Sequence, residues 1–506
     1  IYVGHEVSEY KSNSNYVRYP EYDPEKGLMG VPDIDGVEDV KKKILNLLDG
    51  LSESRNRSVS FFVSGSYSFL DRYVVAGSIR MDGADIIGTA NRFSPLWNAS
   101  FKYNVYEEGF MKKISWLDEL AFRLSYGYTG SIDKNALPFG VMTFMSTDEY
   151  FGYDIPTYIQ PKNPSVKWQK KEDRSVGVDF ALLNRRIRGT VNYYNNVTRN
   201  LLDTKNLPIS VGVSSIKYNS SSVRNYGWEF SMNSQVLRTR ELFWKVDFNV
   251  GMNKSKVIKT YYKDISEVPK GYDKTTPVEG ASTNAWFGYR FAGIDPRTGH
   301  TLAFVDNSER DKPVGYQRED GRWVLDMDDV VNKDRESIKE NLGNSYPTVN
   351  GGFRTNLAWK NFTFDANFTF MLGHKITAAY YATSAGGMVS SASQNVLRKE
   401  TTRWRKPGDI TDIPVYSAGG EFSSLYSEWY DLKLESGDFL KCTSISLGYR
   451  VPSKICQKFS LTSLRVNFNV RDVFTISGYS GLDPENFGGF SYPNSKKYMI
   501  SLNIGI

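Results

Sequence analysis

The 506-residue chain is predicted to be all-β: a transmembrane antiparallel β-barrel with long extracellular loops. Three observations predict this. Apolar and polar residues alternate with a period of two through segment after segment, as expected of strands with one face in an apolar medium and one in water. These segments run to about 9–12 residues, the length of a tilted strand crossing a bilayer and well above the ~5–6 of soluble sheets. Tight connections alternate with very long ones, as periplasmic turns and extracellular loops do in such barrels. Composition agrees: hydrophobic residues are 40% of the chain, while aromatics reach 14% and glycines number 42. A polar chain rich in Tyr, Phe and Gly suits pleated surfaces better than helices or disorder.

Taken in order, residues 1–58 precede a first strand that must run inward if the C-terminus is periplasmic, and are expected to form an extracellular loop segment with a short helix. Val37, Val40, Ile44, Leu47, Leu48 and Leu51 share one helical face there. Residues 59–506 are expected to hold the barrel strands and loops, with about thirteen strands near 59–69, 73–82, 93–105, 120–129, 174–183, 187–197, 224–236, 242–253, 349–359, 362–372, 437–451, 463–472 and 497–506. The first of them sets Val59, Phe61, Val63, Tyr67 and Phe69 against Ser60, Ser64, Ser66 and Ser68. The last sets Tyr498, Ile500, Leu502, Ile504 and Ile506 against Ser501, Asn503 and Gly505. The polar faces carry Asn, Ser, Gly, Arg and Asp, the chemistry of a wet, enclosed lumen, and the apolar faces carry aromatics near strand ends.

Tight turns are expected at Leu70-Asp71-Arg72, Arg185-Arg186 and Lys360-Asn361, and long loops near 130–173, 199–223, 254–348, 373–436 and 473–496. Thirteen is an odd number, whereas bacterial single-chain barrels have an even one. The count therefore predicts the C-terminal part of a longer barrel, with an odd number of strands, and the plug, lying outside this chain. No export signal is legible at the N-terminus.

Several functions are disfavoured. No apolar run is long enough for a transmembrane helix. The net charge of +6, from 63 basic and 57 acidic residues well interspersed, does not indicate nucleic acid. Two cysteines, Cys442 and Cys456, do not make a disulfide scaffold. No phosphate-cradling loop occurs. His5, His300 and His374 lie far apart without paired ligands, and Asp33-Ile-Asp35-Gly36 lacks the later ligands of a calcium loop, so neither metal nor cofactor is expected. No catalytic set is identified, and the protein is not expected to be an enzyme.

The segment Phe69-Leu-Asp-Arg-Tyr-Val-Val-Ala-Gly-Ser-Ile-Arg-Met-Asp-Gly83 resembles the strand–turn–strand of SusC/RagA-type TonB-dependent transporters of Bacteroidetes, Y-x-x-x-x-S-x-R-x-D-G. Leu124-Ser-Tyr-Gly-Tyr-Thr-Gly130, Asn163-Pro-Ser-Val-Lys-Trp168, Val223-Arg-Asn-Tyr-Gly-Trp-Glu229, Gly288-Tyr-Arg-Phe-Ala-Gly-Ile-Asp-Pro296, Leu342-Gly-Asn-Ser-Tyr-Pro347 and Gly481-Leu-Asp-Pro-Glu485 follow in family order. The resemblance runs from about residue 55 to the end. It departs at Ile506, where the family commonly ends in Phe, and residues 1–50 match nothing in it. It implies a 22-stranded, plugged barrel in the bacterial outer membrane. The implied activity is TonB-dependent import of large nutrients, oligosaccharides or peptides. The implied partners are a SusD-like lipoprotein lid, the N-terminal plug and barrel portion, and TonB–ExbB–ExbD acting through the plug. The alternatives are a passive porin or adhesin barrel, and a soluble carbohydrate-binding β protein.

Flat rings presented beside polar groups stack on sugars and peptides, so Trp286, Tyr289, Trp404, Trp429 and Tyr430 are the candidate substrate contacts, with loop packing or lid docking as their other reading. Arg80, Arg123, Arg354, Asp365, Arg465 and Arg471 fall on lumen-facing positions, where they tune permeation, satisfy one another or meet the plug.

Overall fold

The computed structural model describes residues 1–17, 22–23, 27–28, 49–88, 91–132, 139–147, 154–160, 163, 165–206, 210, 215–268, 277–308, 310–328, 335, 337–378, 401–415, 430–486 and 493–506. Among them lies one fourteen-stranded sheet, with every strand paired antiparallel to its neighbour in sequence. We number its strands β1 Tyr2–Val17, β2 Asp49–Phe69, β3 Tyr73–Ala84, β4 Phe93–Asn104, β5 Leu117–Ser131, β6 Gln169–Leu182, β7 Ile187–Asn206, β8 Ser215–Arg238, β9 Leu242–Lys259, β10 Val349–Trp359, β11 Phe362–Leu372, β12 Phe439–Arg450, β13 Ser463–Ser477 and β14 Lys497–Gly505. The ladder order is that of the chain, so β1 and β14 are its two edges.

Register keeps the two chemistries on opposite faces. One cross-strand row runs Phe101, Leu124, Val176, Tyr193, Trp228, Met252 and Val349, and the next toward the short turns runs Tyr103, Phe122, Val178, Val191, Phe230, Val250 and Gly351. On the other face Ser100, Ser125 and Ser175 adjoin, as do Asp247, Arg354 and Asn367. A slip of one residue at any ladder would turn a whole strand over. Apolar side chains such as Phe61, Ile79, Leu124, Trp228 and Ile500 stand exposed to the exterior. The buried apolar clusters lie at the ends of the wall instead: Val105, Met111 and Leu117 below a short-turn connection, and Ala84, Ile86, Ile87, Val166 and Trp168 on the long-loop side. A wall with no core of its own and an apolar outer face is solvated by hydrocarbon on that face.

All thirteen expected strands are present, and two expectations are corrected. Residues 1–58 are not all loop, because Tyr2–Val17 forms β1 along its whole length against β2. The outward positions of β1 read Val3, His5, Val7 and Glu9, too few apolar residues in a row to register as alternation; pairing with β2, not patterning, makes this segment a strand. Glu9 meets Arg55 at 3.2 Å and Arg57 at 3.3 Å, and Lys11 meets Glu53 at 3.2 Å, so the charges above its apolar positions are balanced. The sheet count is therefore fourteen, and the odd-parity argument loses its premise. The expected helix at 37–51 lies outside the described residues up to 48, and Leu51 belongs to β2.

Several strands also outrun their expected ends on the long-loop side: β2 starts at Asp49, β7 ends at Asn206 and β9 at Lys259. Beyond the hydrocarbon both faces of a hairpin meet water, so the ladder continues while the alternation fades. The tight turns sit where expected; Leu70 and Asp71 take φ of 51° and 54°, the left-handed pair that matches strand twist. Loop 260–348 is not structureless. It carries a four-stranded sheet of Phe291–Ile294, Thr301–Phe304, Trp323–Asp326 and Tyr316–Gln317, and pairs Ala285–Gly288 with Glu340–Asn344.

The face assignment predicts an asymmetric outcome. Phe248→Arg places a charge among Met232, Phe353 and the Phe230 ring, and should cost about 2–4 kcal/mol of barrel stability. Asn249→Arg, one residue on and facing the polar side, should change stability by no more than about 1 kcal/mol. Heat-modifiability of the membrane-inserted protein on gels measures both; equal losses would refute the faces.

Candidate functional site

Several charges on the polar face of the wall are paired in networks. Arg123 donates through Nη2 to Asp179 and to Asn192, each at 2.9 Å, and Thr190 adds a 3.0 Å bond to the same Asp179 oxygen. Arg354 donates to Asp365 from Nε at 2.8 Å and Nη2 at 2.6 Å; Asn356 and Asn367 also donate to that carboxylate, and Asn367 reaches Ser444 at 2.9 Å. Arg80 is held by Asp82 at 2.5 Å, Ser60 at 2.9 Å and Glu6 at 3.0 Å. Arg465 donates to Thr363 at 3.0 Å. Arg471 stands apart, with no side-chain partner among the described residues and Lys497 as its ladder neighbour. The recess along this face, about 860 Å³, is lined by Asp179, Arg188, Thr190, Asp247, Asn249 and Arg354 among others. Asp179, Arg188 and Asp247 were not singled out in the sequence, although their alternating positions mark them as lumen-facing.

The loop aromatics do something other than present open faces. Tyr289 and Tyr430, expected to contact substrate, are 1% and 0% exposed and pack ring to ring with centroids 5.5 Å apart. They form the core of the loop unit with Ala303, Leu325 and Met327, so their assignment as open stacking platforms is corrected. Their backbones bridge in parallel, the Asp431 amide donates to the Tyr289 carbonyl at 3.0 Å, and the Asp431 carboxylate accepts from the Phe291 amide at 2.9 Å. The Trp286 indole donates to the Lys375 carbonyl at 2.9 Å, and that of Trp404 to the Pro296 carbonyl at 3.0 Å. Trp404 lies over Gly299, where φ is +79° and a Cβ would come within 2.6 Å of the ring. Each of these four rings joins the loop after β9 to the loop after β11, making one unit at the wall's long-loop end. Trp429 lies outside the described residues.

Two anchors tie this side to the wall. His374 and Asp438 flank the base of the hairpin that follows β11, where the Gly437 amide donates to the His374 carbonyl at 2.9 Å and Lys375–Thr377 pairs with Leu434–Ser436. Burial pushes the His374 imidazolium pKa below its ordinary value, and the Asp438 carboxylate offsets this in part. The second anchor is Lys441, with a side chain only 5% exposed, which meets Glu485 at 2.5 Å and Asp472 at 3.3 Å and so pins the Gly481–Glu485 segment. Neither was foreseen, since each joins residues far apart in the chain.

His300, Asp326 and Asp328 bring one potential metal-ligating atom each within 4.8 Å of one another, a grouping the histidine spacing did not suggest. The Asp326 carboxylate faces His300 Nδ1 at 2.9 Å, and Asp328 accepts from the Thr301 amide at 2.9 Å. Burial raises the Asp328 carboxyl pKa above the ordinary carboxylate range.

A fourteen-stranded meander with an apolar outer face and a paired, polar inner face is an outer-membrane barrel wall, and the comparisons name it. Residues 2–330 match the family described as TonB dependent receptor-like, beta-barrel. The chain belongs to this family. It is 26% identical over 475 residues to TonB-dependent receptor SusC of Bacteroides thetaiotaomicron, covering 89% of this chain and 44% of that protein. It is 25% identical over 464 residues to TonB-dependent receptor P3 of Formosa agariphila, covering 88% and 43%. The chain thus spans less than half the length of these curated relatives. The fold superposes on the structure of the RagAB peptide transporter with a TM-score of 0.77 at 21% identity, covering 99% of this chain and 52% of that one. The SusC/RagA resemblance drawn from the motifs holds, and the protein is an outer-membrane barrel of the TonB-dependent receptor-like family.

Two outcomes test the anchors. Lys441→Met strands the Glu485 and Asp472 carboxylates and should cost about 2 kcal/mol locally, discounted for the exposure of Glu485. Hydrogen exchange in 478–486 should speed accordingly, and Lys441→Arg should restore protection. The depressed His374 pKa means that its stabilising neutral form is complete above the unfolded value of ~6.5 and is lost as pH falls below it. Exchange in 375–377 and 434–436, corrected for intrinsic rate, should therefore quicken between about pH 7 and pH 5; His374→Phe should remove that dependence. Unchanged exchange across that range would refute the assignment.

Proposed function

We propose that this chain forms wall and extracellular loops of an active importer that carries large nutrients, oligosaccharides or peptides, across the outer membrane. In this reading a TonB–ExbB–ExbD system acts through a plug, and a SusD-like lipoprotein caps the loop unit as a lid. The single observation that carries it is the pairing of a two-faced fourteen-stranded wall with relatives of TonB-dependent receptor type about twice as long. Among the described residues β1 and β14 each have one sheet neighbour, and in hydrocarbon every backbone donor and acceptor on their other edge needs a partner. An N-terminal barrel and plug portion of the same protein supplies such a partner, and a plug gives the energy-coupling system its handle. The wall contributes a polar face on which Arg80, Arg123 and Arg354 are already paired with carboxylates, so a passing polar substrate meets hydrogen-bonding groups there, while Arg188 and Arg471 have no ion pair among the described residues. The fused loops give a lid a firm seat. Trp286 and Trp404 at this rim, with Trp429 of the sequence, remain the aromatic candidates for substrate or lid contact, and no catalytic role is proposed.

The experiment is uptake of labelled oligosaccharides and peptides by cells carrying the intact gene, with and without a functional TonB system. Uptake that disappears without TonB supports the importer, and uptake that persists makes the barrel a passive pore. Purification from detergent extracts should bring down a surface lipoprotein in near-stoichiometric amount; its absence would sink the lid.

A further inference from the structure

The outer face of the wall is not uniform at its long-loop end. On β9 the outward positions Leu242, Trp244, Val246, Phe248, Val250 and Met252 are apolar. At ~3.3 Å per residue and a tilt of about 40°, this stretch rises about 25 Å, the height of a barrel's apolar band. The next outward positions are Lys254 and Lys256, both exposed. The ladders place Tyr226 and Asn195 level with Lys254, and Arg224 and Val197 level with Lys256. Arg174, paired with Tyr126, falls in the row of Asn195, and Lys170 pairs with Arg199 two rows higher. Six cations thus stand on the outer face of β6–β9, above Tyr193 and Trp228 and beginning at the level of Tyr126. One carboxylate, Glu172, stands among them; it engages Arg174 with a 3.0 Å bond from Nε and Arg199 at 3.5 Å. Lys254 and Lys256 make no ion pair among the described residues.

This imbalance is local. The charged rows above β1 and β2 alternate in sign and pair off, as described for Glu9, Lys11, Glu53, Arg55 and Arg57. At the long-loop ends of β10, β11 and β13 the outward residues are Val349, Leu372, Phe474 and Ile476, with no cation. Two cations of the patch are also set in place before anything binds. The Arg224 guanidinium lies 5.1 Å from the Tyr226 ring centroid and donates to Asn195 at 2.8 Å, and that of Arg174 lies 5.8 Å from the Tyr126 ring centroid. Directly below, an apolar groove of about 490 Å³ runs over Val75, Phe101, Leu124, Val176 and Tyr193 and ends at Arg174 and Asn195. An apolar groove that opens at its upper end onto unbalanced cations, at the height where hydrocarbon gives way to head groups, has the shape and charge of an anionic lipid.

We propose that the outer face of β6–β9 is a binding site for a phosphorylated lipid of the outer leaflet. Its acyl chain lies in the groove between β3 and β7, and its phosphate is held by Arg174, Arg224, Lys254 and Lys256. Each cation near such a head group contributes ~1 kcal/mol, so four of them select an anionic lipid over a zwitterionic one. The site faces lipid, away from the lumen, and is independent of what the transporter carries.

The test uses the full-length protein extracted in detergent and stripped of lipid. It is incubated with bisphosphorylated lipid A, the same lipid with its phosphates removed, phosphatidylethanolamine, or inorganic phosphate, and bound lipid is counted by native mass spectrometry. Bisphosphorylated lipid A should be retained at least about tenfold better than the dephosphorylated form, and retention should fall with added salt. Combined Arg224→Ala, Lys254→Ala and Lys256→Ala should abolish the preference, whereas Arg55→Ala with Arg57→Ala should leave it intact. Should the triple variant fail to assemble, Lys256→Gln alone, at an exposed position, should still reduce retention severalfold. Equal retention of the two lipid A forms, or an unaltered preference in an assembled triple variant, would overturn the proposal. So would complete displacement by millimolar inorganic phosphate, which would mark a site for soluble anions.

Discussion

A backbone amide or carbonyl without a hydrogen-bond partner costs several kcal/mol in hydrocarbon, and most of this protein's architecture is a response to that constraint. It requires an uninterrupted ladder, and the ladder requires a register that holds from strand to strand. With side chains alternating, a held register is also what keeps Phe230, Val250 and Trp228 on one face and Ser231, Asn249 and Glu229 on the other. Where the ladder shifts, at Asn367/Phe368 and Cys442/Ser444, the Asn367 side chain bonds Ser444 across the irregularity. The same constraint explains why the buried apolar clusters sit at the wall's ends. Within the membrane, lipid does the work of a core.

Beyond the hydrocarbon the constraint relaxes and ordinary globular physics takes over. The loops after β9 and β11 acquire their own core, with Tyr289 and Tyr430 at its centre, and are joined through Trp286 and Trp404. Aromatic residues therefore serve two ends in one chain: they face lipid on the wall and close contacts between loops above it. A rim built from two loops through these contacts forms one packed unit.

Charge follows the same division. Arg123, Arg354 and Arg80 on the polar face are each held by a carboxylate, which keeps that face hydrophilic while balancing their charge. On the outer face a cation has no such need where the bilayer supplies the counter-charge. Six cations against one carboxylate on β6–β9 is an arrangement that only an external anion balances.

Much of the wall was legible in the sequence because alternation is a local property: each of the thirteen expected strands carries its own two-faced pattern, and β10 and β11 have the ends that pattern gives them. β1 was not legible, since Val3 and Val7 are separated by His5 and followed by Glu9, and only the neighbouring strand makes the segment β. The lumen-facing arginines could be placed by position, but their partners could not, because Arg123 and Asp179 are joined by a register that two separate segments set together. The aromatic loop residues show the limit most clearly. Composition marks Tyr289 and Tyr430 as recognition rings; tertiary structure buries them against each other across 140 residues of chain, and burial depends on what packs around a residue, which no local pattern contains. Strand-forming segments, their two faces and the family resemblance were thus determined by the sequence alone. The unity of the loops, the pairing of the charges and the imbalance on the outer face were decided only when distant segments came into contact.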